Sequence, residues 1–564
     1  LSTRASNVRV VGRPDRPGGW LLYHGNNIRN FHVLDSLANE KTSRNSSGEP
    51  QAMNNLMITG ARVMSPNADP HQPPVADIFI RDGKISKIGK NLVEKEFVAD
   101  AEVIDASEMI AIPGFINAHY HSHDTLAKGV MEETPLETWR LLALPPQYPK
   151  RSRAEIRART LIGALECLRS GMTCIQDMVT LYPFDPDHLE AVIEAYEEIG
   201  IRAVVALQYA DIRGIETIPF WKEVFPQEMH GSLSTAAEPD PEFDQLGYFV
   251  DRWLKPKAAG SRISWALGPS APERCSPKLI ERTVDLSTTF NLPIFSHIYE
   301  SKGMALQARQ EYPQHGGSLI RRLESEGLLG PRLNLAHSVW LLEEEIEILA
   351  RTETKVVINP LSNLKLKSGI PPILALENAG VSLGLGCDNC SCSDAQNMFQ
   401  AMKLFCLMVA VSHKEAGPAQ APQAFKAATE GGAKAVLMED KIGMLKAGMA
   451  ADITLIDLSD PSYVPLNSAQ RQIVYTEGGR GVRTVIIDGK IVIRDGKLQT
   501  MDERALLEEV KEVVPGFQRD FNAIKERVEN MSPWLDEAHL KIWDQETGGD
   551  RLFKDPLFWK EANF

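Results

Sequence analysis

The chain has few cysteines, no long apolar run and no surplus of positive charge, and each shortage removes a class of protein. Seven cysteines in 564 residues are sparse and odd in number, so a disulfide framework is excluded and a reducing, cytoplasmic compartment is expected. Cys387, Cys390 and Cys392 cluster in CDNCSC and suggest a thiolate metal site. Such a site needs a second Cys or His pair at matching spacing, and none is present. No apolar run reaches the roughly 18 residues of a membrane span, and the longest candidate, KLFCLMVAV, reads as helix core. With 61 Lys and Arg against 75 Asp and Glu, the net charge of −14 excludes the basic surface a general nucleic-acid grip requires.

Residues 1–52 also lack something, namely a sustained period. LSTRASNVRVVGRPDRPGG and NEKTSRNSSGEPQ are rich in Arg, Asn, Ser, Gly and Pro, and read as a flexible N-terminal extension with no secretory apolar core. MNNLMITGARVM, at Met53, looks like a natural start, so the leader is expected to be an upstream extension. An Arg-rich targeting peptide is disfavoured, because Asp15, Asp35 and Glu40 interrupt it.

What is present points to an α/β chain built on a (β/α)8 TIM barrel. After IAIPGFINAH come MTCIQDM, IRAVVALQ, ISWALGP, LPIFSH, LNLAH, KVVIN and VSLGLGCD, eight short apolar runs separated by stretches long enough for helices. ALECLRSG, HLEAVIEAYEEIG, LEEEIEILA and PPILALENAG read as outer-layer helices, several stopped by glycine. The chain exceeds the roughly 250 residues of a bare barrel, so a second unit is expected. Residues 53–110 and 443–501 carry alternating strands with Asp-Gly hairpin signals and are expected to pair into a small composite β-sandwich domain. That places the barrel at 111–442 and leaves 502–564 as a charged, helical C-terminal tail packed on a neighbouring surface.

Four histidines and one aspartate fall just past the strand-like runs: His119 and His121 in NAHYHSHD, His297 in FSHIYE, His337 in LAHSVW and Asp388 in LGCDNC. Residues this far apart meet only if the strands converge, as barrel strands do at their C-terminal face. His119 and His121 are two apart, so on a strand both point to one side and can grip one ion. Imidazole with carboxylate suits Zn²⁺ or, by a similar argument, Fe²⁺, and three His with one Asp leave room for water. His123 lies past the strand end and reads as a loop or supporting residue. Glu300, three residues after His297, stands where a proton for a poor leaving group is needed. Asp388 is the natural acceptor of the water's proton, while His337 binds metal weakly or holds the nucleophile.

In this order PGFINAHYH, SHIYE, AHSVW, NPLSNLKLKSG and GLGCDN resemble the amidohydrolase superfamily, in the branch of cytosine, guanine and S-adenosylhomocysteine deaminases and triazine chlorohydrolases and aminohydrolases. The resemblance covers roughly Leu56 to Leu498. It implies metal roles for His119, His121, His297 and Asp388, a proton shuttle at Glu300, water orientation by His337, the composite β-domain and a homo-oligomer. Related binuclear sites use a bridging carboxylated lysine; SRISWALGPSAP holds none, so one divalent metal per chain is expected, Zn²⁺ before Fe²⁺.

Two departures bear on substrate. Many nucleoside-type deaminases read Gly-Pro-His-Ala-Pro after strand 4, whereas GPSAPERCS places Ser270 there and disfavours a purine nucleoside. The usual Asp-Gly after strand 8 is Asp388-Asn389, followed by Cys392, which looks more like the triazine branch. Trp139 as an aromatic cover and Gln208 as a reader of a ring nitrogen complete the pocket candidates; Trp340 reads as packing. The expected reaction is displacement of an amino or related group from a small N-heterocycle by metal-activated water. Alternatives on the same scaffold are chloride displacement and hydrolysis of an exocyclic amide, urea or thiocarbamate. A metal-free scaffold would have lost its ligands, and all are retained.

Overall fold

A computed structural model describes residues 55–92, 101–144, 149–234, 244–255, 262–413, 417–418 and 420–549. The expected N-terminal extension lies outside the described residues.

One sheet is wholly parallel and curled. Its strands run Phe115–His121, Met172–Val179, Arg202–Tyr209, Ile263–Pro269, Ile294–Ile298, Leu333–His337, Lys355–Ile358 and Leu383–Leu385, each hydrogen-bonded to the next in parallel. Two residues past its eighth strand the chain forms the short strand Asp388–Asn389, which pairs with Tyr120 and His121 and brings the sheet back to its first strand. Met172–Val179 and Lys355–Ile358 are buried along their whole length, as strands covered on both faces must be. Helices such as Arg153–Arg169, Pro186–Ile199 and Pro277–Phe290 pack outside, with Ser152, Asp185 and Ser276 accepting from backbone amides at their N-termini.

The first apolar run of the sequence proves to be two strands in different sheets. Met109–Pro113 pairs antiparallel with Ile453–Asp457, and the chain enters the barrel only at Phe115. Gly114 is the pivot: a Cβ there would collide with the side chain of Thr173.

The second sheet joins segments from both flanks of the barrel into nine hydrogen-bonded strands, with an apolar core that includes Ile58, Ile78, Ile80, Ile453, Leu455 and Ile486. The bonding makes it one sheet rather than two, because Asn55–Val63 serves both halves. Its first part pairs with Ala101–Asp105 and its end with Met109–Pro113, with a register shift around Gly60 at φ +70°. Three hairpins turn on Asp82-Gly83, Asp488-Gly489 and Asp495-Gly496, all with positive φ at both positions, the geometry of a two-residue type I′ turn. Arg202, at the start of the third barrel strand, clasps Asp452 with two bonds of 3.0 Å and Asp488 with one of 2.5 Å, fastening this sheet to the barrel.

The C-terminal region folds as two helices, Glu503–Glu529 and Ser532–Trp543. Phe517, Phe521, Ile524, Val528 and Leu535 share an apolar cluster with Trp139, Trp221, Phe225 and Met304, which belong to connections leaving the C-terminal ends of the barrel strands. Arg151–Asp520 at 3.2 Å and Lys541–Glu223 at 3.6 Å add polar ties at the edge.

Candidate metal centre

Five of the residues singled out in the sequence meet at the C-terminal mouth of the curled sheet. His119 and His121 end the first strand, His297 lies in the fifth, His337 ends the sixth, and Asp388 opens the short strand that returns to the first. His121 Nε2 lies 3.3 Å from both His119 Nε2 and His297 Nε2. Asp388 Oδ1 is 3.4 Å from His119 Nε2 and 3.5 Å from His121 Nε2. His337 Nε2 stands 3.7 Å from Asp388 Oδ2 and 3.6 Å from Glu300 Oε2. All six side chains are buried or nearly so.

The protonation pattern explains what these atoms want. His121 Nδ1 donates to the Met178 carbonyl at 2.7 Å and His297 Nδ1 to the Ser270 carbonyl at 2.5 Å, so each presents a bare Nε2 to the centre. Burial disfavours the charged imidazolium at all three ligand candidates: His119 is lowered, His297 well lowered, and His121 pushed down to about 3. Facing lone pairs at 3.3 Å with no proton between them repel, and a cation removes the repulsion. Tetrahedral ligands about 2.0–2.1 Å from zinc lie about 3.3 Å apart, so the donor set and its spacing fit a divalent ion.

Local backbone strain gathers here. His337, Asp388 and Tyr299, the residue before Glu300, have φ of +70°, +62° and +48°. Non-glycine residues hold such angles only where the surroundings over-determine them. At Tyr299 the surroundings are visible: its hydroxyl donates to Glu345 at 2.7 Å and accepts from the Leu319 amide at 2.8 Å.

Around this centre the other candidates take varied places. Ser270 Oγ accepts from Gln208 Nε2 at 2.8 Å, and Gln208 Oε1 accepts from Thr180. Trp139 is buried in the apolar cluster, and its indole nitrogen donates to Ser391 at 2.8 Å, so the ring is fixed by the mouth of the barrel. Asn389 donates through Nδ2 to His123 Nε2 at 3.3 Å. His123 stacks edge-on at 5.4 Å from His121 and belongs to neither candidate ligand group. Cys392 bonds to the Asn389 carbonyl at 3.3 Å, and burial raises its thiol well above the usual range, so it is a neutral group. Trp340 donates to the Ser368 carbonyl at 2.8 Å in a buried packing role. Three supporting residues were not found from sequence. Asn363 accepts from His337 Nδ1 at 2.8 Å, and the Asp124 carboxylate gathers the amides of Cys390 and Ser391 at 3.1 Å together with the Ser391 hydroxyl.

A curled parallel sheet with this imidazole and carboxylate set at its C-terminal mouth defines a metal-dependent hydrolase class. The model of the amidohydrolase family matches residues 110–492. A 5-methylthioadenosine/S-adenosylhomocysteine deaminase from Thermococcus sibiricus is 34% identical over 418 residues, covering 74% of this chain and 89% of that protein. A 5'-deoxyadenosine deaminase from Methanocaldococcus jannaschii is 34% identical over 438 residues, covering 78% and 95%. Among solved structures, an adenosine deaminase from Xanthomonas campestris with bound zinc has a TM-score of 0.69 at 26% identity, covering 84% of this chain and 98% of that one. An atrazine chlorohydrolase from Arthrobacter aurescens TC1 complexed with zinc has a TM-score of 0.68 at 22% identity, covering 82% and 100%, a likeness of fold. The chain belongs to the amidohydrolase family, and it is a hydrolytic enzyme acting on C–N bonds.

Proposed function

We propose that the protein is a mononuclear aminohydrolase, with zinc as its ion, that replaces an exocyclic amino group of a nitrogen heterocycle by oxygen from water. The observation that carries this reading is the convergence of three imidazole Nε2 atoms, those of His121 and His297 bare, and the Asp388 carboxylate, with Glu300 beyond His337. A bound divalent ion would supply Lewis acidity and lower the pKa of water toward neutrality. Zinc rather than iron is supported by the zinc in the neighbouring structure at 26% identity, and one ion rather than two by the absence of lysine from Ile263–Pro269.

The chain's own groups would handle the protons. Asp388 Oδ2, facing His337, takes a proton from the attacking water, while His337, held through Nδ1 by Asn363, orients that water. Burial raises the Glu300 carboxyl to about 7, so it is available in both forms near neutral pH. It gives its proton to the ring nitrogen as the C–O bond forms, takes one back from the new hydroxyl and passes that to the departing amine; the C–N bond breaks, ammonia leaves, and the proton held by Asp388 restores Glu300.

Substrate class rests on two observations that pull apart. Relatives at 34% identity carry the names of deaminases of adenosine derivatives, which supports an aminopurine. Ser270, where a substrate-facing histidine was the expectation for a nucleoside site, removes one contact but not the ring chemistry. We therefore place an aminopurine first and other amino heterocycles second. The test is separate measurement of ammonia, alkylamine and chloride released from aminopurines, aminopyrimidines, aminotriazines, chlorotriazines, aryl ureas and thiocarbamates. Turnover of ureas or thiocarbamates alone would replace ring displacement by acyl hydrolysis. We propose a homo-oligomer in the cytoplasm as its setting, the latter from seven cysteines that are all buried and free. Among the described residues no helix is long and apolar enough to cross a membrane.

A further inference from the structure

Glu300, the group assigned the proton transfers, is not held by bonds of its own. Among the described residues its carboxylate makes no hydrogen bond, and it stands 3.6 Å from His337 Nε2. A buried side chain without anchoring bonds takes its place from the backbone on either side. On the preceding side Tyr299, at φ +48°, is fastened through its hydroxyl to Glu345, and its carbonyl accepts the amides of Val339 and Trp340 at 3.1 and 3.2 Å.

On the following side the hold comes from another segment of the chain. Ser301 caps the helix Lys302–Glu311 by accepting the Met304 amide at 3.3 Å, and its hydroxyl donates to Glu137 Oε1 at 2.7 Å. Glu137 is buried in the helix Leu136–Ala143, whose Leu136 and Trp139 share an apolar cluster with Met304 and Leu535. A carboxylate in such surroundings costs desolvation free energy that a directed contact must offset. The sequence makes room for that contact. Gly303, a weak helix former in the first turn, leaves open the space where a Cβ would come 2.6 Å from Glu137 Oε1. A Cβ there would also lie 3.3 Å from Ile542 Cδ1, so the helix Ser532–Trp543 packs on the same junction. His539 Nδ1 of that helix stands 4.0 Å from Glu137 Oε2. The carbonyls of Trp543 and Thr547 accept from Lys302 Nζ at 3.1 Å and from Arg309 Nε at 2.9 Å, along the helix that begins beside Glu300.

We propose that Glu137 is a positioning residue for proton transfer: through Ser301 it fixes the start of the helix Lys302–Glu311, and with it the backbone that aims Glu300. Among the described residues it bonds neither to Glu300 nor to the candidate ligands, so its action passes through Ser301. Its charge also bears on Glu300, and the amide variant separates that effect from the hydrogen bond. The proposal rests on the aminohydrolase reading for what Glu300 does, but not for what holds it.

The test uses the zinc-loaded full chain, with ammonia release from adenine and adenosine as the readout of turnover and hydrogen exchange over residues 299–306 as the readout of position. Glu137→Met, close in length but without an acceptor, should lower kcat about 10- to 100-fold, the size of a loss from misplaced catalytic geometry, with KM and zinc content unchanged. Exchange over 299–306 should quicken. Glu137→Gln, whose amide oxygen still accepts from Ser301, should recover most of the rate. Because Glu137 and Ser301 act through one bond, the double variant Glu137→Met with Ser301→Ala should be no slower than the slower single variant. Unchanged exchange in Glu137→Met, faster exchange with unchanged kcat, additive losses in the double variant, or a Glu137→Gln as slow as Glu137→Met would each overturn the proposal. Glu137→Ala carries the same expectations and decides where Glu137→Met does not fold. If the wild type releases no ammonia from either compound, the aminopurine reading falls; turnover is then read on whichever compound of the panel above is hydrolysed, and exchange still decides whether Glu137 holds the segment.

Discussion

A neutral imidazole serves a cation only if its free nitrogen points the right way, and at His121 and His297 a main-chain carbonyl on the opposite nitrogen sets that direction. At His337 the same task falls to the Asn363 side chain. Elemental analysis should therefore find about one divalent ion per chain, lost on chelation together with activity. Two tightly held ions per active chain would defeat the mononuclear site. Glu300→Gln keeps the shape of the carboxyl but cannot pass a proton, so metal content should stay while turnover falls by about 10² to 10⁴. Near wild-type ammonia release by that variant would take Glu300 out of the mechanism. The ligand candidates were legible in the sequence because a histidine or aspartate directly after an apolar run is conspicuous. Asn363, Asp124 and Ser391 were not, since ordinary polar residues become supports only through contacts with chain far away, as Asp124 does with Ser391.

Strands carry these residues into place, and the eighth does so in two pieces. Leu383–Leu385 pairs with the seventh strand, and after Gly386 and Cys387 the chain pairs with the first through Asp388 and Asn389. Gly386 permits the crossing, because a Cβ there would strike Asn359 Oδ1 and lie 2.7 Å from the Cβ of His119. Gly386→Ala should cost about 1–3 kcal/mol by overpacking and displace His119, so a competitive chelator should strip zinc from it more readily than from wild type. Unchanged metal affinity would show that the crossing tolerates a methyl group. A second strand feature is electrostatic. Lys355, at the buried start of the seventh strand, donates to the Pro331 carbonyl, and burial pushes its ammonium down to about 8, below the about 10.4 of an exposed lysine. Below pH 8 the folded state holds a disfavoured charge; between about 8 and 10.4 the unfolded chain binds more protons, and stability rises with pH. Lys355→Met should therefore melt higher than wild type at pH 7, with an advantage that shrinks toward pH 10. An advantage independent of pH would assign the effect to packing. The sequence showed eight runs and three hairpins clearly, through apolar content and Asp-Gly pairs. It did not show that IAIPGFINAH changes sheets at Gly114, because an apolar run looks the same whichever sheet receives it.

At the scale of the whole molecule, the C-terminal helices pack on the connections that leave the C-terminal ends of the barrel strands. Their apolar side chains, Phe517, Phe521, Ile524, Val528 and Leu535, are buried against the connections that carry Trp139, Trp221 and Met304, and Met304 lies four residues beyond Glu300. Ser301, next to Glu300, donates to Glu137 at 2.7 Å, and His539 of the last helix stands 4.0 Å from the same carboxylate. The tail thus reaches the segment that carries Glu300 through one shared acid. Its helical character was legible from ALLEEVKEVV and FNAIKERVENM, but its docking face was not, since the partner surface is assembled from connections far apart in the chain. Two truncations separate the ends of the chain. A chain beginning at Met53 keeps every strand and every site residue described above and should retain its ammonia-releasing rate. A chain ending at residue 501 exposes the aromatic cluster on those connections, and should aggregate or lose turnover even with the candidate metal ligands intact. If the shorter C-terminal form were soluble, zinc-loaded and as active as the full chain, the helices would be a separable appendage, and the order of Glu300 would have to come from Tyr299 and its bond to Glu345 alone.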